Sequence, residues 1–150
     1  MERLRKFNSL PAAERRLLFQ SLLLVSAIRL GLWLLTFYKV QRLLRWMTKR
    51  RSANSVPHRD GRPTVARIVW SVKVVSRYIP AASCLVQALA AHTLLNRQGY
   101  QASLRVGVAK GRQGELRAHA WVACQDNIVI GGAESASRFT PLPPLEKEVM

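Results

Sequence analysis

The sequence predicts an α+β fold, in which a helical N-terminal segment precedes a core of two helices followed by a small antiparallel sheet. Three observations predict it. Residues 12–51 are rich in leucine and arginine and contain one glycine, Gly31, and no proline. Apolar residues at Val65, Ile68, Val69, Val72, Val75 and Ile79, then at Leu85, Ala88, Leu89, Leu94 and Leu95, follow the 3.6-residue period of a helix. Beyond residue 101 the period becomes two: Ala102, Leu104, Val106 and Val108 alternate with Ser103, Arg105 and Gly107, and Ala118, Ala120, Val122 and Cys124 alternate with His119, Trp121 and Ala123.

Element by element, Pro11 suits the start of the first helix, and Glu14 lies near the positive end of its dipole. A run of some 40 residues is long for a globular helix, so a break is expected near Gly31 or around residues 36–38. Residues 17–35 are apolar enough to raise a membrane question, yet Arg29 sits in their middle, and a central arginine costs about 3 kcal/mol on insertion scales. A buried or partner-binding helix is the first expectation, with an interfacial membrane helix next and a span last. Pro80 ends the helix that begins at Val65, and Gly99 is placed to cap the one that follows Ser83. Asp126 and Asn127 are turn residues for a closing hairpin. The expected division is an N-terminal helical segment over 1–51, a linker loop over 52–64 with Pro57, Gly61 and Pro63, a core over 65–142, and a loose tail over 143–150.

Composition narrows the chemistry. With 24 Lys+Arg against 8 Asp+Glu the formal charge is +16, which favours anionic partners. The basic stretches lack interleaved aromatics and any recognition-helix motif, so nucleic acid is not expected as the partner. No CxxC or HExxH motif is present, and residues 107–115 hold three glycines without a GK[ST] ending, so neither a metal nor a nucleotide cofactor is expected. Two cysteines 40 positions apart, with no cleavable signal sequence, do not make a disulfide framework and point to the reducing cytoplasm.

Two residues carry the chemical interest. Cys84 follows Ser83, a good N-cap residue, so its sulfur is expected in the first helical turn, where the dipole and free N–H groups favour a thiolate. His119 lies 35 positions on, in a strand that could pack across that helix start. Such a pair provides the activation that cysteine acyl transfer needs. Buried cysteines and core histidines are also common, and spacing leaves both readings open. A two-residue turn at Asp126 and Asn127 pairs residues whose numbers sum to 253, which sets His119 opposite Glu134 and makes Glu134 the preferred orienting carboxylate. Asp126 falls at the hairpin tip, and a one-residue bulge would move the register. Cys124, on the strand face opposite His119, is expected to be structural. Gln87 is a candidate oxyanion helper beside the Cys84 N–H. His58 and Asp60 form a suggestive pair, but nothing nearby supplies a nucleophile.

The stretch "SCLVQALAAHTLLNRQGYQASLRVGV", followed by "AHAWV" and "VIGG", resembles the transglutaminase-like lasso-peptide biosynthesis B proteins in the discrete form that lacks a leader-recognition domain. The stretch "LPAAERRLLFQSLLLVSAIRLGLWLL" is similar to that family's N-terminal helical segment. The resemblance implies a papain-like cysteine-protease core with Cys84 as nucleophile and His119 as base. It further implies cleavage of the leader from a ribosomally made precursor, alongside a separate leader-recognition protein and an ATP-dependent lasso cyclase. Many members have an Asp about a dozen residues after the histidine, where this chain has Gly131 and Gly132. Either Glu134 replaces it, or a backbone carbonyl or water orients His119. The expectation is thus a cytoplasmic leader peptidase, with peripheral membrane contact through the N-terminal helices as an added expectation. The rivals are a transamidase using the same pair and a non-catalytic basic binding module.

Overall fold

The structure is a computed structural model and describes residues 10–52 and 63–142. His58, Asp60 and the tail over 143–150 lie outside the described residues. Helix α1 spans Ala12–Leu34 and α2 spans Phe37–Ser52. Pro11 directly precedes α1, and its carbonyl takes the amides of Glu14 and Arg15. The expected break falls at residues 35–36, where Leu35 is extended. Gly31 lies inside α1, and a Cβ there would stand 3.2 Å from a methyl of Val40, so the glycine lets α2 fold back closely.

Helix α3 spans Val65–Ser76 and α4 spans Cys84–Arg97. Thr64 caps α3 by accepting from the Arg67 amide at 3.3 Å. Ile68, Ser71, Val72 and Val75 are its buried residues, the i, i+3, i+4, i+7 face that the sequence spacing implies. Helix α4 buries Val86, Ala88, Leu89, Ala90, Ala91, Thr93, Leu94 and Leu95, which occupy almost its whole circumference. It is the central helix. Gly99, at φ +82°, ends it as expected: its amide bonds Asn96 O and the Tyr100 amide bonds Leu95 O, both at 3.0 Å, the double bond of a Schellman cap.

Strands β1 (Ala102–Lys110), β2 (Leu116–Cys124) and β3 (Asn127–Ile130) follow, then a short helix α5 (Ser135–Arg138) and strand β4 (Thr140–Pro141). The antiparallel sheet runs β3-β2-β1-β4. The Asn96 side chain joins helix to sheet, accepting from the Ala102 amide at 3.3 Å and donating to its carbonyl at 3.4 Å. The strands are the expected three plus β4, whose two residues pair with Gly107 and Val108.

One apolar cluster includes residues of all four long helices together with Ala120, Val122 and Ile130. The N-terminal helices therefore share a core with the cysteine helix, and the cluster runs across residue 64. Helix α1 packs on α3 and α4. Glu14 pairs with Arg67 between α1 and α3, and deeper in, Ser21 Oγ meets Ser71 Oγ at 2.8 Å, both side chains being fully buried. Ser71 gives its hydroxyl hydrogen to Ile68 O at 2.8 Å, so Ser21 is the donor in the pair between helices. The outer side of α1 is also apolar, with Phe19, Leu23, Leu30, Trp33 and Leu34 exposed.

Candidate active site

Cys84 is the first residue of α4 and is half-buried and free. Ser83 occupies the cap position, but its side chain makes no capping bond. The first-turn amides are therefore not consumed by the Ser83 side chain. The turn before it is strained, since Ala81 holds φ +58° and its carbonyl takes the Ser83 amide at 2.8 Å. Gln87 Nε2 donates to Ala82 O at 3.1 Å. That bond ties the approach loop to the helix and engages one amide hydrogen of Gln87, the candidate oxyanion helper.

His119 sits in the middle of β2, opposite Gly107. Its Nε2 lies 2.8 Å from Gly131 O. A carbonyl only accepts, so Nε2 carries the proton and the neutral ring keeps its lone pair on Nδ1. The ring is stacked on Phe139 at 5.0 Å between centroids and faces Trp121 at 6.3 Å. Phe139 was not foreseen as part of the site. Its only sequence signal is a lone aromatic between α5 and β4.

The Glu134 expectation is corrected by the hairpin register. The turn uses Gln125 and Asp126, at φ +50° and +63°, one residue earlier than the Asp126–Asn127 turn expected. Cys124 then pairs with Asn127 and Ala123 with Ile128, and a bulge sets Val122 against Ile130. The strand stops there. Glu134 lies past its end, 80% exposed in its side chain, with its carboxylate 3.5 Å from Arg138 and its carbonyl starting α5. Asp126 is exposed at the tip. The group behind His119 is thus a backbone carbonyl, twelve residues on, where many of the resembled proteins have an Asp.

Gly131 can serve because it is glycine. At φ +103°, a Cβ would lie 2.4 Å from Trp121 Cβ and 3.0 Å from Ala120 O. Trp121 is itself pressed over Gly107, whose added Cβ would meet the ring at 2.8 Å. Cys124 behaves as expected: it is buried on the face opposite His119, and burial pushes its thiol up from the ordinary value of 9.0. Cys84 and His119 lie on elements that pack together, α4 and β2, but no hydrogen bond joins Sγ to the ring. Side chains alternate along β2, and Ala120 and Val122 are the ones that enter the helix-facing cluster. Among the described residues no group of three His, Cys, Asp or Glu could hold a metal.

A free cysteine opening the central helix and a histidine on the neighbouring antiparallel sheet are the residue types that cysteine-dependent acyl transfer uses, here on packed elements without a bond between them. The family model described as the transglutaminase-like superfamily matches residues 31–143, and the chain belongs to that superfamily. Its members are generally cysteine-dependent enzymes, typically peptidases or transamidases. No curated protein and no solved structure matches the chain.

Proposed function

We propose that this protein is a cytoplasmic cysteine peptidase that removes the leader from a ribosomally made lasso-peptide precursor, working with a separate leader-recognition protein and an ATP-dependent cyclase. The observation that carries the enzymatic part is the Nε2–H···O bond from His119 to Gly131, which leaves Nδ1 as the base. The resemblance of residues 83–132 to the lasso B proteins supports the substrate.

In this mechanism Nδ1 of His119 takes the Cys84 proton and the thiolate attacks the carbonyl at the leader–core junction. Thiol and imidazole are not hydrogen-bonded in the free chain, and Ala120 and Val122 take the helix-facing side of β2, so this mechanism requires substrate binding to bring the His119 ring and Cys84 together. The α4 first-turn amides, with Cys84 N–H foremost, face the developing oxyanion. The tetrahedral adduct collapses, the C–N bond breaks, and His119 returns its proton to the departing core amine. Water, deprotonated by His119, then cleaves the thioester and frees the leader as a carboxylic acid.

The test is mass spectrometry of a candidate precursor incubated with its recognition protein and this chain. Free leader acid and core peptide are expected, with none from Cys84→Ala; unchanged processing by that variant would defeat the mechanism. Leader joined to an added amine would instead mark a transamidase.

A further inference from the structure

Between α1 and the turn that leads from α3 into α4 lies a groove of about 490 Å³, lined by Ser26, Arg29, Leu30, Trp33, Ile79 and Pro80. Its lining is apolar apart from Ser26 and the cationic Arg29. Arg29 is half-buried, its Nε is fully enclosed without a hydrogen-bond partner, and none of the ion pairs among the described residues involves it. An enclosed Nε–H without an acceptor is costly, and the half-buried side chain that carries it holds a positive charge that an incoming acceptor can meet. The acceptor best matched to it is a carboxylate, which binds the planar donor fork with two parallel bonds. Leu30 and Trp33 stand open on the rim, at 55% and 73% exposure, ready to cover apolar neighbours of that carboxylate.

The groove's position says what brings the carboxylate. Its far wall, Ile79 and Pro80, continues through residues 81–83 into Cys84, and the Gln87 bond to Ala82 holds that connection against the first turn of α4. Pro80 and Cys84 are four residues apart, so their Cα atoms are separated by at most about 14 Å. A peptide that follows the groove's Pro80 wall covers the distance from Pro80 to Cys84 in about four extended residues.

We propose that the Arg29 groove is a substrate subsite for a peptide's acidic side chain flanked by apolar residues, about four or five positions from the bond that is cut. The position relative to the cut rests on the peptidase reading; the binding itself does not.

The experiment uses the full chain carrying Cys84→Ala, so that nothing is turned over, and two fluorescently labelled peptides, Ala-Leu-Glu-Leu-Ala and its Gln counterpart, with blocked ends. Anisotropy titration is expected to give at least about tenfold tighter binding for the Glu peptide. Arg29→Gln should remove that preference, Arg29→Lys should keep part of it, and Trp33→Ala should weaken both peptides equally. Circular dichroism checks that each variant stays folded. Equal affinity for the two peptides, or a preference that survives Arg29→Gln, overturns the proposal. So does Arg29-dependent binding to phosphatidylglycerol vesicles without Arg29-dependent peptide binding, which would make the groove a lipid headgroup site. A Glu preference in a chain whose Cys84 never cleaves precursor leaves the groove standing and removes the peptidase. Cys84-dependent cleavage without any Glu preference does the reverse.

Discussion

Replacing Gly131 by Asp would put the carboxylate of the resembled family back beside His119, and the structure says that the substitution fails. Its Cβ would lie 2.4 Å from Trp121 Cβ and 2.9 Å from Trp121 Cα, well inside ordinary contact. Trp121 is 1% exposed and already lies against Gly107, so it has nowhere to retreat. Overpacking of this kind costs about 1–3 kcal/mol, and an L-residue held at φ +103° costs about 1–3 kcal/mol more. A loss of about 2–6 kcal/mol is a large share of the 5–15 kcal/mol typical of a domain. Urea unfolding followed by tryptophan fluorescence, with a slope of about 2 kcal/mol/M, should show a midpoint lowered by about 1–3 M. Gly131→Ala should lose nearly as much, because the backbone and the first side-chain carbon cause the damage. A midpoint within about 0.3 M of the parent for either variant, at unchanged slope, would refute the reasoning.

Other consequences are simpler to measure. Ser71→Ala strands the Ser21 donor and should cost about 1–3 kcal/mol, whereas Ser21→Ala leaves Ser71 bonded to Ile68 O and should cost less. The double alanine variant should recover part of the loss, which a thermal double-mutant cycle would reveal. The Cys124 thiol, pushed up by burial, should alkylate only on unfolding. Above about pH 9 the unfolded thiol loses its proton while the folded one keeps it, so stability falls as pH rises, and Cys124→Ala should flatten that slope in alkaline melts. Glu134→Gln should leave precursor cleavage within about twofold, since the carboxylate is exposed and, among the described residues, paired with Arg138 alone. Phe139→Ala should lower turnover more than substrate affinity by freeing the stacked imidazole, and full turnover would remove its positioning role.

What the sequence made legible was local. The helices at 65–76 and 84–97, the Gly99 cap and the alternation of β1 and β2 each follow from neighbouring residues, and so does the placement of Cys84 at a helix start. The break between α1 and α2 was bracketed for the same reason. The turn was misplaced because Gln125 adopts a left-handed conformation that glutamine seldom favours, and a bulge at residues 122–123 then moved the register again. Strand β4 has no pattern of its own and exists only by pairing with Gly107 and Val108. The acceptor behind His119 was left as one of several alternatives because a backbone carbonyl has no residue type to announce it. Two adjacent glycines were the trace it left.

The largely apolar character of α1 beyond its first turn has a consequence during synthesis. The helix is complete at Leu34, but the partners that cover its inner face, α3 and α4, are complete only at Ser76 and Arg97. At 5–20 residues per second, the 63 residues from Leu34 to Arg97 take about 3–13 s. For that interval the nascent chain displays a 23-residue helix whose most apolar 18-residue stretch has a mean hydropathy of 1.8, of the length and composition that targeting factors and chaperones intercept. Burial of the inner face of α1 thus waits on elongation to Arg97.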